Sequence, residues 1–288
     1  MHQQEKIKLV AFIASALEED MGDGDHTSLA TIPVDQLGEA QLIIKETGVL
    51  AGVAEAKTVF EVVDTDVIVE VLKEDGSMVG VGDTVLVAHG RIHSILLAER
   101  LLLNIMQRMS GIATVTHRIM QRLAGTRTKV LDTRKTTPLL RFLEKKAVGL
   151  GGGVNHRFGL YDMILIKDNH VDYAGGIRPA IEKANDYRKR LGKSIAIEVE
   201  VRNLAELQEA LDTGNVDRIM FDNFTPELVK TAVGMVNNRY VTEASGGITE
   251  DDVRRYAEAG VDFISIGALT HSVKSLDMSL KARIINNS

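Results

Sequence analysis

The chain has 288 residues, 44% hydrophobic and 26% charged, with no cysteine and a formal net charge of −6. That combination suits a globular protein of one large or two modest domains, whose core needs neither a disulfide nor a metal–thiolate staple. The acidic balance argues against nucleic acid as the partner, and no apolar run is long enough to span a bilayer, so no membrane partner is expected.

The first residues lack the positive-then-apolar pattern of a signal peptide, and a soluble, cytoplasmic protein is the expectation. A helix is expected from Lys6 to Glu19. Strand-like segments follow at Ala40 to Lys45, Val67 to Leu72 and Thr84 to Ala88, with turn signals at Asp75-Gly76 and Gly82-Asp83. His26, in Gly22-Asp23-Gly24-Asp25-His26-Thr27, sits in an acidic turn with too few carboxylates for a metal loop, so capping chemistry is expected there. Ser94 to Met109 is apolar on most sides and reads as a buried helix. Arg100, Asn104 and Arg108, four residues apart, make one polar stripe on it. The stripe suits either the solvent edge of a core helix or a subunit interface.

The pattern changes near Gly111. Beyond it, short apolar strands are expected at Val130 to Asp132, Met163 to Lys167, Ala196 to Val201, Arg218 to Asp222, Tyr240 to Glu243 and Asp262 to Ile266. Helices fall between several of them: Asn203 to Asp212, one opening at Thr225-Pro226, and one opening at Thr249 with Asp252 closing a capping box and Gly260 ending it. Strand–helix alternation means a parallel sheet. A full eight-stranded barrel takes ~250 residues. Gly111 to Ser272 is too short for that, so the expectation is an α/β fold with a reduced, about six-stranded α/β barrel over 113–272, or failing that an open sheet. An N-terminal α/β sandwich domain is expected over 1–112, joined by 273–288. The working face of either sheet lies at the C-terminal strand ends.

Those ends carry, in order, Asp132-Thr133-Arg134-Lys135, Lys167-Asp168, Glu198 and Glu200, Asp222-Asn223, Glu243 with Ser245-Gly246-Gly247, and Gly267-Ala268. A salt-bridge network would explain any one of them, but six consecutive polar strand ends favour a site, because charges facing a barrel mouth are costly unless paired or ligand-bound. From Lys129 to His170, lysine and arginine outnumber aspartate and glutamate eight to four, with two histidines added. A basic pocket on an acidic protein points to a small anionic ligand. Gly151-Gly152-Gly153 precedes Asn155-His156-Arg157 and reads as a flexible loop that delivers two cation-capable side chains toward Arg134 and Lys135. Ser245-Gly246-Gly247 and Gly267-Ala268, after the last two strands, are candidates to cradle a phosphate.

Together these stretches resemble the quinolinate phosphoribosyltransferases, the carboxylating nicotinate-nucleotide pyrophosphorylases. The likeness runs from Gly22-Asp23-Gly24-Asp25 to Thr270-His271-Ser272. It includes AERLLLN from Ala98, SGIAT from Ser110, DTRKTTP from Asp132, LIKDNH from Leu165, EVEV from Glu198, DNF from Asp222, EASGGI from Glu243 and GALTHS from Gly267. Leu139 departs from it, at a place where glycine is the more usual residue. The resemblance implies transfer of the phosphoribosyl group of phosphoribosyl pyrophosphate to quinolinate with decarboxylation, giving nicotinate mononucleotide, pyrophosphate and CO2. It places substrate binding on Arg100, Thr133, Arg134, Lys135, His156, Arg157, Lys167, Glu200, Asp222, Ser245, Gly246, Gly247, Gly267 and Ala268. Lys135, Lys167, Glu200 and Asp222 are the catalytic candidates. It implies Mg²⁺, carried mainly by the diphosphate, with Glu200 and Asp222 as its candidate protein ligands. It further implies a homodimer in which Arg100 is contributed across the interface. The rivals are a same-fold relative acting on another acceptor, a phosphosugar isomerase and a non-catalytic anion-binding protein. The number of cations disfavours the first two, and carboxylates in an anion pocket disfavour the last.

Overall fold

The computed structural model describes residues 3–283. The ends of the expected domain spans, 1–2 and 284–288, lie outside the described residues. Along the chain run α1 (Gln3–Met21), α2 (His26–Thr31), β1 (Leu37–Ile44), β2 (Gly48–Val49), α3 (Val53–Val63), β3 (Ile68–Val71), β4 (Met78–Val79), β5 (Thr84–Arg91) and α4 (Ile92–Arg122). Then come β6 (Lys129–Leu131), α5 (Arg141–Leu150), β7 (Met163–Ile166), α6 (Asp168–Ala174), α7 (Ile177–Leu191), β8 (Ala196–Val201), α8 (Leu204–Thr213), β9 (Arg218–Asp222) and α9 (Pro226–Val236). β10 (Val241–Ser245), α10 (Val253–Glu258), β11 (Phe263–Ser265), α11 (Ala268–His271) and β12 (Met278–Arg283) complete the order. The backbone divides into two compact units, Met1–Val115 with Val273–Ser288, and Thr116–Ser272.

The first unit is built on an antiparallel sheet ordered β12-β1-β5-β3. Ala40, Leu42 and Ile44 alternate into its core from β1, the period of a strand with one covered face. On α4, Ala98, Leu102, Met106, Met109 and Ala113 recur at helical spacing and are buried. The helix is much longer than the expected Ser94 to Met109, and it passes through Gly111 without a break. A Cβ at Gly111 would run into the backbone carbonyl of Lys274, so this glycine permits close backbone approach and does not mark an end. The unit boundary therefore falls inside a helix.

The second unit holds six parallel strands ordered β6-β11-β10-β9-β8-β7. That is the neighbour sequence of a barrel-like α/β domain, with the join between β6 and β7 unpaired among the described residues. Val154 lies beside β6 as a one-residue parallel bridge to Leu131, its N–H donating to Val130 O at 2.9 Å. The glycine loop is thus partly drawn into the sheet rather than free. β8 and β9 have the bounds expected from sequence. The Asn203 and Thr225 side chains cap α8 and α9. The capping box expected at Thr249 does not form: Thr249 Oγ1 donates to Asp252 Oδ2 at 2.7 Å, and α10 opens only at Val253. Among the described residues no helix is long and apolar enough to cross a membrane.

Candidate active site

Parallel strands put all their C-terminal ends on one side of the sheet, so β6, β7, β8, β9, β10 and β11 deliver the expected residues to one face. Thr133 to Lys135 follow β6 directly. The Thr133 hydroxyl accepts the Lys135 N–H at 3.0 Å, while Arg134 and Lys135 stay exposed. Lys135 is anchored from the segment after β11: Thr270 Oγ1, on α11, donates to its carbonyl at 2.8 Å, and a Cβ at Gly267 would lie 3.0 Å from its Cδ. Gly267 thus leaves room for the lysine stem. Ala268, exposed, begins the four-residue α11. Further along the first loop, Leu139 has φ 66° and is 86% exposed. A left-handed leucine is strained, which explains why glycine suits this position better.

Lys167 is exposed, with Nζ 4.0 Å from Glu200 Oε2. Glu200 is buried, and burial, then the charge of Asp222, raises its carboxyl above the ordinary glutamate range. Asp222 pairs in register with Ser245 and accepts a hydrogen bond from Asn223 Nδ2 at 2.7 Å. Asn223 itself has φ 56°, and its side chain fills the space where a Cβ at Gly246 would sit. Gly246 and Gly247 have φ of 100° and 63°, conformations that favour glycine. This turn precedes α10 by several residues, so its backbone N–H groups, and not that helix's N-terminus, are what it offers an anion.

His156 is buried, with Nδ1 hydrogen-bonded and Nε2 facing two carboxylates. Nδ1 accepts the Arg157 N–H at 2.7 Å, which leaves the ring proton on Nε2. Nε2 lies 3.0 Å from Glu198 Oε2 and 3.5 Å from Glu243 Oε2. Arg218 closes the cluster, with Nη1 2.8 Å from Glu243 Oε2 and its guanidinium over the Phe263 ring. Burial pushes Glu198 up to about 7 against the pull of Arg218. Burial, and then the charge of Glu198, push Glu243 up to about 7. Burial also lowers His156, with Arg218 adding to the effect and Glu243 opposing it. His156, Glu198 and Glu243 bring their ligand atoms within 4.8 Å of one another, and His156 Nε2 and both Glu198 oxygens are buried without a hydrogen-bond partner among the described residues. The cluster lies beside Arg157, whose N–H is held by His156. Arg157 is half-buried and donates from Nη1 to Met163 O at 3.2 Å.

Thr133, Arg134, Lys135, Arg157, Lys167, Glu200, Asp222, Ser245, Gly246, Gly247, Gly267 and Ala268 therefore belong to one end of one sheet, with His156 beneath them. Arg100 belongs to the other unit, exposed on α4. Sequence reading passed over Lys145, which is buried on α5 against Asp132. The available signal was a lysine inside the apolar spacing of Leu143, Ala147 and Val148.

Two family descriptions match the chain: "Quinolinate phosphoribosyl transferase, N-terminal domain" over residues 25–110, and the corresponding C-terminal domain over 112–281. The chloroplastic nicotinate-nucleotide pyrophosphorylase [carboxylating] of Arabidopsis thaliana is 46% identical over 95% of this chain and 82% of its own. The probable nicotinate-nucleotide pyrophosphorylase [carboxylating] of Bacillus subtilis is 45% identical over 94% of this chain and 92% of its own. The crystal structure of NadC from Streptococcus pyogenes superposes with a TM-score of 0.91 at 39% identity, covering 96% of both chains. The likeness is to both domains and reaches the strand ends that carry the charged residues, and the chain belongs to the quinolinate phosphoribosyltransferase family.

Proposed function

We propose that this chain transfers the phosphoribosyl group of phosphoribosyl pyrophosphate to quinolinate and releases CO2, forming nicotinate mononucleotide and pyrophosphate. The observation that carries this reading is the gathering of Arg134, Lys135, Arg157 and Lys167 with Glu200 and Asp222 at one end of a parallel sheet. Quinolinate brings two carboxylates and the donor a diphosphate and a phosphate. Assembling them in one pocket is prohibitive unless cations are already there.

The ring nitrogen of quinolinate attacks C1′ of the ribose as the bond from C1′ to the pyrophosphate oxygen breaks. Lys135 and Arg134 receive the charge that grows on the departing diphosphate. Glu200 and Asp222 hold the ribose side and favour the positive charge that develops at C1′. Backbone N–H groups of the Ser245-Gly246-Gly247 and Gly267-Ala268 turns hold the 5′-phosphate. Arg157 and Lys167 take the acceptor carboxylates, with His156 bracing Arg157. The positive charge on the quaternised nitrogen then stabilises the electron pair left on the adjacent carbon when CO2 departs, and that carbon takes a proton from water. No dedicated decarboxylation base is required. The oxygen donors of Glu200 and Asp222 fit Mg²⁺: the like charge that raises Glu200 is relieved by a hard divalent cation. When bound, Mg²⁺ would neutralise charge on the diphosphate.

The composition supports the cytoplasm as the compartment. The resemblance supports a homodimer in which the partner subunit's Arg100 completes the acceptor site. Quinolinate labelled in the carboxylate next to the ring nitrogen tests the reaction: labelled CO2 should appear only when phosphoribosyl pyrophosphate is present. Arg134→Ala and Lys135→Ala should each lower kcat/KM by about 2–5 kcal/mol while leaving the fold intact. Release independent of the donor, or wild-type kinetics in either variant, would sink the assignment.

A further inference from the structure

Asp132 stands at the end of β6, fully buried, immediately before Thr133-Arg134-Lys135. Its Oδ1 accepts Lys145 Nζ and, at 2.9 Å, the His156 N–H. With the Asn155 amide turned so that its nitrogen faces these acceptors, it donates to Asp132 Oδ2 at 2.6 Å and to Lys145 O at 2.8 Å. Lys145, on α5, is 2% exposed and also donates to His156 O at 3.0 Å. One carboxylate and one ammonium therefore tie three pieces of chain: the root of the Arg134–Lys135 loop, the root of the His156–Arg157 loop, and the helix between them. Arg141 links the same loops further out, donating to Thr136 Oγ1 and to Phe158 O, whereas the Asp132–Lys145 pair joins them at their buried roots. Both loops bear cations, and Arg134 opposes the charge on Arg157. Neither Asp132 nor Lys145 reaches the exposed face where substrates bind.

We infer that Asp132 and Lys145 are positioning residues for the reaction: the buried pair sets the spacing of the two cation-bearing loops, and so the fit of the pocket to its anions. The inference rests on the proposed reaction for its kinetic readout, and on loop geometry for a second one. A buried ion pair is weak evidence for stability, since an apolar pair of similar volume often replaces it at no cost. That makes positioning separable from folding.

Three variants separate them. Lys145→Met strands a buried carboxylate and should lower the thermal midpoint. In Asp132→Leu with Lys145→Met both charges are gone, and the midpoint should rise above that of Lys145→Met, short of wild type because the His156 N–H loses its acceptor. Asp132→Asn keeps an acceptor for the His156 N–H. Positioning predicts that the double variant, though more stable than Lys145→Met, raises KM for quinolinate about tenfold or more through the displaced Arg157 and also lowers kcat through the displaced Arg134 and Lys135. Asp132→Asn should fall between it and wild type. Amide hydrogen exchange, read without substrate, should speed up together at 133–135 and 155–157 in the double variant. A folded double variant with wild-type KM and kcat overturns the inference, and so does exchange confined to one loop. Loss of all labelled CO2 from the unaltered enzyme would instead defeat the reaction, and the exchange result would still decide the role of the pair.

Discussion

Glu200 and Asp222 are the residues whose charge has the wrong sign for a pocket that collects anions, and that is the best guide to their role. A carboxylate near C1′ gains nothing when quinolinate docks and much when the ribose becomes cationic. Glu200→Gln and Asp222→Asn should each lower kcat by about tenfold to hundredfold, with a smaller change in quinolinate affinity. Titration of quinolinate binding beside turnover measures both, and equal losses would point to a structural role. Glu243 gives a prediction about pH. Its carboxyl is pushed from 4.5 up to about 7 in the folded protein. The folded chain therefore keeps a proton that the unfolded chain releases, so this contribution to stability is complete below about pH 4.5 and is lost as the pH rises through about 7. His156, lowered by burial, works the other way and loses stability as the pH falls below its ordinary range. Glu243→Gln removes the first effect and leaves the second. Between about pH 5 and pH 8 the variant's unfolding free energy, read by chemical denaturation, should fall less than that of wild type, the difference being at most about 3 kcal/mol. Identical slopes would mean that Glu243 does not titrate in this window.

At the scale of elements, Gly111 shows how far a helix can be misread. Glycine lowers helix propensity by about 1 kcal/mol relative to alanine, so an internal glycine looks like a stop. Here α4 continues because a side chain at that position would meet the Lys274 backbone. Gly111→Ala should destabilise the fold by about 1–3 kcal/mol despite the gain in propensity. Gly234→Ala, on α9 with nothing within 4 Å of its added Cβ, should stabilise it slightly. Chemical denaturation of the two variants checks the pair, and matching shifts would show that propensity alone decides. The same contrast explains what was legible in the sequence. β8 and β9 are short apolar runs with polar ends, and Asn203 and Thr225 announce their helices by capping them. The helices α3 and α5 carry no such signal, for Gly52 and Leu140 stand at their N-caps without a side-chain bond. The strand-end site could be read because parallel topology gathers C-terminal ends wherever the strands are placed. Lys145 offered only its place among Leu143, Ala147 and Val148, because its partner Asp132 lies thirteen residues earlier and its burial depends on a loop whose course only the fold decides.

At the scale of the whole molecule the open question is whether one chain completes a site. The polar stripe on α4 divides: Arg108 is half-buried and donates to Val273 O at 3.2 Å, whereas Arg100 and Asn104 are exposed. An arginine held on a rigid helix and left facing solvent suits a carboxylate supplied from outside its own unit. The family resemblance makes that carboxylate the acceptor's, bound in the second subunit of a homodimer. If so, Arg100→Ala alone should be nearly inactive, and Lys167→Ala alone likewise, because each damages every site. In a dimer of one Arg100→Ala chain and one Lys167→Ala chain, both lesions fall in the same site and the other site is intact. Random exchange makes half the dimers mixed, so activity should return to about one quarter of the wild-type level. Native mass spectrometry would report the mixed dimer and turnover the recovered site. Mixed dimers without activity would assign Arg100 to its own subunit, and a chain that stays monomeric while fully active would remove the need for a shared site altogether.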